Sequence, residues 1–331
     1  MTFVNQENLD RLRMAITNAQ PFGLFLPSVY VLELTNRCNI NCIMCPNSKF
    51  KEPELGDVDE RSFIRTLDLI APYSELLMLY FMGEPTLHPR FASLLWEARK
   101  RLGGKIVVST NAFNLSDEVV AALVENTDIV LICIDRWQEG AYEKIRRGSQ
   151  FRNVVNSAEK ILTFRAQSEF PKIIVKSLDI SFRDENSESL ERESDEFCNY
   201  WLQRGALPLF GWLNTWAGQF EYLKKFATNE TPYTNMSHAP CADLWFKMVV
   251  NWRGEVVLCC HDWSSSVVVG DINANSLSSI WHSEKMVRFR NSHLEGDYGC
   301  TALCTKCAEW GEADELESYV RLNKTDLYRV F

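Results

Sequence analysis

An α/β fold organised around a parallel sheet is predicted by three features of the sequence. Apolar or β-branched runs of strand length recur along the first two thirds of the chain, and segments with helical spacing lie between them. The runs at 76–82 and 129–135 are almost continuously hydrophobic, as strands buried on both faces are. Repeated β-then-α order implies parallel strands joined by crossover helices. In barrels and open sheets alike, such an arrangement collects ligands at the carboxyl ends of the strands.

In chain order, 6–19 has the spacing of a short leading helix, and Pro21 and Pro27 bracket an irregular connection. Strands are expected at 29–34, 76–82, 105–109, 129–135, 173–181 and 208–212. One helix is marked by Phe63, Ile64, Leu67 and Ile70, and the next by Phe91, Leu94, Leu95 and Ala98 behind Pro89. Val119, Val120 and Leu123 follow a Ser116 cap; Phe151, Val154, Val155, Ala158, Ile161 and Leu162 mark another helix, and 190–202 a further one. After Trp212 the alternation stops. The stretch 219–237 is polar and turn-rich and reads as a linker. Residues 247–250 and 256–259 flank Asn251-Trp252-Arg253-Gly254 as a hairpin, and a helix over 277–290 places Ile280, Trp281 and Val287 on one face. The tail past Trp310 carries no motif.

With 331 residues, 46% of them hydrophobic and 24% charged, the chain has the composition of a globular protein with room for a large domain and a smaller one. Its net charge of -9 argues against nonspecific binding to nucleic acid or anionic membrane. There is no signal-peptide pattern at the amino terminus, and the longest apolar runs are too short to span a bilayer, so a cytoplasmic protein is expected. In a reducing compartment the 11 cysteines are ligands or catalytic thiols rather than disulfides. They fall into two groups, Cys38, Cys42 and Cys45, then Cys241, Cys259, Cys260, Cys300, Cys304 and Cys307; Cys133 and Cys198 lie in apolar segments and read as core residues.

The first group follows the first strand at C-x3-C-x2-C spacing. Three such thiolates can hold three irons of a [4Fe-4S] cube and leave the fourth without a protein ligand, an open position for chemistry. A zinc site or buried free thiols are the alternatives, although zinc would recruit a fourth ligand nearby and the next cysteine is Cys133. In the second group, Cys241 and Cys259 flank the hairpin, and Cys304-Thr305-Lys306-Cys307 forms a close pair. Four thiolates from a hairpin and a knuckle can enclose a second [4Fe-4S] cluster, or a zinc ion.

Further motifs follow successive strands: Gly83-Glu84-Pro85, Ser109-Thr110-Asn111, Ile134-Asp135, and Ile145-Arg146-Arg147-Gly148 with Phe151. With the triad, this ordered set resembles the radical S-adenosylmethionine (radical SAM) superfamily, in particular members with a carboxy-terminal SPASM or shortened twitch extension. The resemblance runs from Val29 to Cys307. Met82 and Ala112 depart from it, each standing where the family usually has glycine. The fold it implies is a partial (β/α)6 TIM barrel with a small C-terminal α+β cluster-binding domain. The corresponding divisions are a lead-in over 1–28, the barrel over 29–218, a linker over 219–240, the cluster domain over 241–310 and a tail over 311–331.

Roles follow from the same resemblance. The open iron would be chelated by the amino and carboxylate groups of SAM, with a one-electron reductant such as flavodoxin or ferredoxin as partner. Gly83 and Glu84 would receive the SAM ammonium, Ser109 and Asn111 its ribose or methionyl groups, and Arg147 its carboxylate, Arg146 being equally able to reach. Met44, at a position often aromatic in the family, would pack on the adenine. Cys241-x12-Gly254-x4-Cys259 resembles the family's auxiliary half-motif, and no cysteine follows Cys307. One auxiliary cluster on Cys241, Cys259, Cys304 and Cys307 is therefore expected. Cys260 and Cys300 are left as substitute ligands, buried thiols or hydrogen-atom donors.

The reaction the resemblance implies is reductive cleavage of SAM to a 5′-deoxyadenosyl radical that removes hydrogen from a substrate. Oxidation follows if the auxiliary cluster takes an electron, and epimerisation if a thiol returns hydrogen. A small polyhydroxylated substrate, a sugar, aminocyclitol or nucleoside, is favoured because the single auxiliary cluster resembles twitch enzymes acting on aminocyclitols. The short lead-in also reads as too small for a folded domain that captures a leader peptide. Peptide maturation and a noncatalytic iron-sulfur or zinc protein are the alternatives. Trp212, Asn214 and Trp216 are candidate substrate contacts, and His261 and Asp262 candidate proton acceptors beside the auxiliary ligands.

Overall fold

The strands of the computed structural model are, in chain order, β1 (Val29–Leu32), β2 (Asn41–Cys42), β3 (Leu76–Leu79), β4 (Lys105–Thr110), β5 (Ile129–Cys133) and β6 (Arg146–Arg147), then β7 (Lys172–Leu178), β8 (Leu207–Gly211), β9 (Lys247–Val250), β10 (Glu255–Val257) and β11 (Val268–Asp271). The structure describes residues 14, 18, 20–21, 25–49, 54–182, 185–227 and 240–308. The leading helix expected over 6–19 falls outside them except at 14 and 18, as do the tail beyond 308 and 228–239 of the linker.

All the long strands join one sheet in the order β11-β10-β9-β1-β3-β4-β5-β7-β8. From β1 to β8 the neighbours are parallel and follow chain order, the arrangement of a barrel wall. The wall stays open because the other edge of β1 is taken by β9, also parallel. The hairpin expected in the C-terminal domain thus continues the barrel sheet itself, with β10 and β11 added antiparallel beyond β9.

Register separates the two faces of the wall. Val108, Val130, Ile132 and Val175 share one face and are fully buried, the side the helices cover. Ser109, Leu131, Cys133, Lys176 and Leu178 share the other and are half-buried. Gly211 lies on this concave face, where a Cβ would come 2.5 Å from Lys176 Cε, so glycine there leaves room for the lysine stem. Cys133, read as core from sequence, belongs to this open row.

The helices are α1 (Pro46–Lys49), α2 (Glu60–Ile70), α3 (Phe91–Arg101), α4 (Asp117–Asn126), α5 (Glu139–Ile145), α6 (Phe151–Arg165) and α7 (Ser187–Gln203), then α8 (Asp243–Phe246), α9 (Leu277–Trp281), α10 (Glu284–Leu294) and α11 (Ala302–Thr305). Asp59, Ser116 and Asn186 accept hydrogen bonds from the first-turn amides of α2, α4 and α7. The sequence showed no α5, whose short span buries only Tyr142 and Ile145, too few positions to reveal a period. The single helix expected over 277–290 is two, because the Ser283 side chain accepts from Met286 N and starts α10 afresh.

The run expected as a strand to Met82 ends at Leu79. There the chain turns across the end of β1. The buried Glu33 carboxylate accepts from Met82 N at 3.0 Å and from Trp252 N at 3.1 Å, joining the β3 loop to the β9–β10 turn. Arg290 is also buried, and it donates to the carbonyls of Leu244 and Trp281, each at 2.8 Å, pinning α10 against α8 and α9. Within the expected linker, Glu221–Phe226 forms a 3-10 turn that buries Leu223.

Candidate active site and auxiliary metal centre

The loop after β1 carries Cys38, Cys42 and Cys45 at the carboxyl end of the sheet, and its shape is set by backbone contacts. Thr35 Oγ1 donates to Gly56 O at 2.9 Å, and Asn36 Oδ1 accepts from Gly56 N at 2.8 Å. Asn47 Nδ2 donates to Asn36 O and Met82 O. Ser48 Oγ closes on Cys42 O at 2.6 Å. Gly83 is packed so tightly here that a Cβ would lie 2.0 Å from Thr35 O, so glycine is required for this approach.

The three thiols are electrostatic neighbours. Burial raises all three, bringing Cys45 up to about 11, and for Cys42 the nearby Cys45, Asp135 and Cys38 add to the rise while Arg146 opposes it. A desolvated set of thiols needs cationic charge to become thiolates, and a bound metal supplies it by deprotonating them outright. The donor set therefore suits a cluster held by three cysteines.

Arg146, rather than Arg147, faces the triad. It is buried, with Nε donating to Asp135 Oδ2 at 2.7 Å and Nη1 3.8 Å from Cys42 Sγ. Arg147 is exposed on β6, where its backbone pairs with Asn41. This follows from strand alternation: β6 lies against β2, so one arginine points in and the next out.

Asn111 does reach the triad, with Nδ2 3.8 Å from Cys38 Sγ and 2.9 Å from Asn39 Oδ1. Glu84 is buried, and its carboxylate accepts from Thr86 N and Oγ1, Thr110 Oγ1 and Asn111 N. Its oxygens thus lock the β3 and β4 loops together. Ser109 Oγ lies 3.6 Å from Cys133 Sγ on the concave face. Met44 is buried in a small apolar cluster with Ile40, Ile145 and Phe220, and its carbonyl accepts from Trp216 Nε1 at 3.0 Å.

The second cysteine group assembles from separate elements. Cys241 precedes α8, Cys259 follows β10, Cys304 lies in α11 and Cys307 just beyond it. Cys241 neighbours Cys259 and Cys307, while Cys304 neighbours Cys259 and Cys307, so these four thiols close a circuit. Burial raises Cys241 and Cys304 strongly; Asp243 adds to the rise at Cys241, and neighbouring thiols add to it at both. Four thiols from a hairpin and a knuckle form a donor set suited to one complete cluster.

Cys260 and Cys300 stand beside this circuit. Cys260 adjoins Cys259, with Sγ 3.7 Å from Asp243 Oδ2 and 3.8 Å from His261 Nδ1. Cys300 contacts Cys304. His261 hydrogen-bonds Cys259 and presents its ring edge to Trp216 at 6.3 Å. Asp262 is fully buried; Oδ1 accepts from Ser266 N and Oγ, and Oδ2 from Val267 N, which closes the loop after Cys259 and leaves no surface for a substrate.

A strained strap joins the two cysteine groups. Trp216 and Ala217 have φ of 55° and 57°, and Gly218 follows at 73°. Asn214 Oδ1 accepts from Trp216 N, Trp216 reaches the triad loop, and Gln219 Nε2 donates to His261 O. A Cβ on Gly218 would lie 2.5 Å from Lys306 O. Trp212, the remaining aromatic candidate, is half-buried just past β8. Sequence reasoning missed Glu33, Lys176 and His293. A motif search does not reveal them, because each owes its place to pairing between distant segments.

Known proteins carry the same two regions. Residues 32–165 match the Radical SAM superfamily, and residues 241–308 match the SPASM iron-sulfur cluster-binding domain. The chain is 27% identical over 300 residues to the tungsten-containing aldehyde ferredoxin oxidoreductase cofactor-modifying protein of Pyrococcus furiosus, covering 78% of this chain and 82% of that one. It is 22% identical over 285 residues to the S-adenosyl-L-methionine-dependent 2-deoxy-scyllo-inosamine dehydrogenase of Niallia circulans, over 85% and 92% of the two chains. The crystal structure of Streptococcus suis SuiB bound to precursor peptide SuiA shares the fold, with TM-score 0.65 at 13% identity over 91% of this chain and 74% of SuiB. SAM and [4Fe-4S] clusters, an auxiliary one among them, are the cofactors these two domains imply. With one domain at each cysteine group and a single sheet running through both, this chain is a radical SAM enzyme with a carboxy-terminal SPASM domain.

Proposed function

We propose that this enzyme dehydrogenates a small polyhydroxylated molecule, converting a secondary alcohol to a ketone. The observation that carries the reading is the gathering of Cys241, Cys259, Cys304 and Cys307 at one place, four thiols suited to one auxiliary cluster. With the cofactors bound, Cys38, Cys42 and Cys45 would hold the cluster that supplies radical hydrogen abstraction through SAM, and Cys241, Cys259, Cys304 and Cys307 would hold one that supplies an electron acceptor. Cys38, Cys42 and Cys45 hold the first cluster, Asn111 and Arg146 border it, and the concave-face row of Ser109, Cys133 and Lys176 offers polar groups to hydroxyls. His261, rather than the enclosed Asp262, is the proton acceptor of choice. The reductant is a one-electron carrier of the flavodoxin or ferredoxin type. Similarity to the inosamine dehydrogenase over most of both chains supports the substrate class.

A second reading is epimerisation, favoured by one observation: Cys133 puts a half-buried thiol on the concave face beside Ser109. That thiol would return a hydrogen atom to the opposite side of the substrate carbon and become a thiyl radical. Anaerobic turnover of aminocyclitols, 2-deoxy-scyllo-inosamine first, in deuterated water separates the two. Dehydrogenation predicts a ketone two mass units lighter. Deuterium on an inverted carbon that vanishes in Cys133→Ala would replace it with epimerisation, and modification of peptides alone would overturn both. Among the described residues no helix is long and apolar enough to cross a membrane.

A further inference from the structure

Behind the auxiliary thiols lie two groups outside the four expected ligands, placed with Cys304 where they could also face a metal. His293 sits on α10, 2% exposed, and its Nδ1 accepts from Cys241 N at 3.2 Å. A ring nitrogen of His293, Cys300 Sγ and Cys304 Sγ all lie within 4.8 Å of one another. The imidazole therefore spans the two halves of the ligand set, from the backbone of the first cysteine to the thiols of the knuckle. Tyr298 packs edge-on against it at 5.1 Å and fixes its plane. Since Nδ1 is occupied as an acceptor, the neutral ring carries its proton on Nε2. Cys300 is held by its own turn, where Asp297 Oδ1 accepts from Gly299 N at 2.9 Å.

We propose that His293 and Cys300 form a donor layer behind Cys304, directing N–H and S–H hydrogen bonds at its thiolate when the auxiliary cluster is bound, and so raising that cluster's reduction potential. Hydrogen bonds to cluster sulfurs draw off negative charge and favour the reduced state. A higher potential makes the cluster a readier acceptor for an electron leaving a substrate. The donor layer rests on the auxiliary cluster being held by the four-thiol circuit, and only its use in oxidation rests on the proposed dehydrogenation. It also gives Cys300 a role distinct from ligand or hydrogen-atom donor, that of a hydrogen-bonding neighbour of Cys304.

The test is an EPR-monitored reductive titration of the reconstituted holoenzyme, with iron content measured alongside and the triad cluster as internal reference. Cys300→Ala and His293→Phe are expected to keep full iron and to lower the auxiliary midpoint by a threefold to tenfold change in the reduction equilibrium, about 30 to 60 mV for one electron. His293→Gln, which retains a donor, is expected to recover part of the shift, and the triad midpoint stays in place. Loss of one cluster's iron in Cys300→Ala would make Cys300 a ligand and overturn the proposal. Unchanged midpoints in both variants would overturn it too. If His293→Phe does not fold, Cys300→Ala decides. A lowered midpoint upholds the donor layer whatever the product, so a product that is not oxidised sinks the dehydrogenation reading alone.

Discussion

The two cysteine groups reach similar ends by opposite routes. Cys38, Cys42 and Cys45 occupy one loop, so the spacing of three ligands is set by the few residues between them, and neighbouring segments only hold the loop in place. The auxiliary thiols come from three places along the chain and meet only because β9 docks on β1, Arg290 pins α10, and His293 ties Cys241 to the knuckle. A local site should tolerate distant damage. A distributed one should fail when any of its ties is cut.

Emptying one site at a time separates a local site from a distributed one most strongly. Cys42→Ser should remove the triad cluster and abolish 5′-deoxyadenosine formation, with the auxiliary EPR signal retained. Loss of both signals would show that the second site depends on the first. Next in size is Arg146→Met, which strands the buried Asp135 carboxylate; unpairing such a group costs about 3–5 kcal/mol. Urea unfolding should register that loss, and cluster content should fall at the triad before the auxiliary site.

Gly218→Ala is the converse experiment. It adds a Cβ against Lys306 O at a residue whose φ is 73°, and steric strain of this kind costs about 2–4 kcal/mol. The expected outcome is selective loss of auxiliary iron by elemental analysis, with SAM cleavage still detectable. Equal loss at both sites would mean that the strap supports the whole carboxyl end of the sheet.

Smaller effects sharpen the picture. Burial lifts the Cys45 thiol from 9.0 to about 11, so the folded apoprotein favours its neutral form. That contribution to stability is complete below about pH 9 and is lost as pH rises through about 11. The urea midpoint of apoprotein should therefore fall across this window, and that of cluster-loaded protein should hold, since bound thiolates have no proton to lose. Trp216→Phe deletes the indole N–H to Met44 O, worth about 1 kcal/mol, and trims the ring that meets His261. Its signature should be weaker SAM binding by calorimetry with unchanged iron at both sites.

Strand and helix order was legible because buried parallel strands and amphipathic helices leave their periods in the sequence. The triad was legible for the same local reason. Arg146 and Arg147 show where that ends: both stand in one motif, and only the pairing of β6 with β2 turns the first inward to Cys42 and the second to solvent. Glu84 shows it differently, since its carboxylate accepts from Thr86, Thr110 and Asn111 and so ties two loops that no single motif joins. Asp262 likewise looked chemical beside Cys259 and is consumed in closing its own loop.

The βα alternation, the two cysteine groups and the motifs that follow successive strands are legible in the chain alone, because each is encoded by residues close together. Tertiary structure alone decided that the auxiliary hairpin extends the barrel sheet, that Cys133 and Lys176 share its concave face, and that Cys300 meets His293 behind Cys304. Those relations join residues far apart in the chain. They are set by strand register and by the burial of Glu33, Arg290 and His293, which spacing along the chain does not encode.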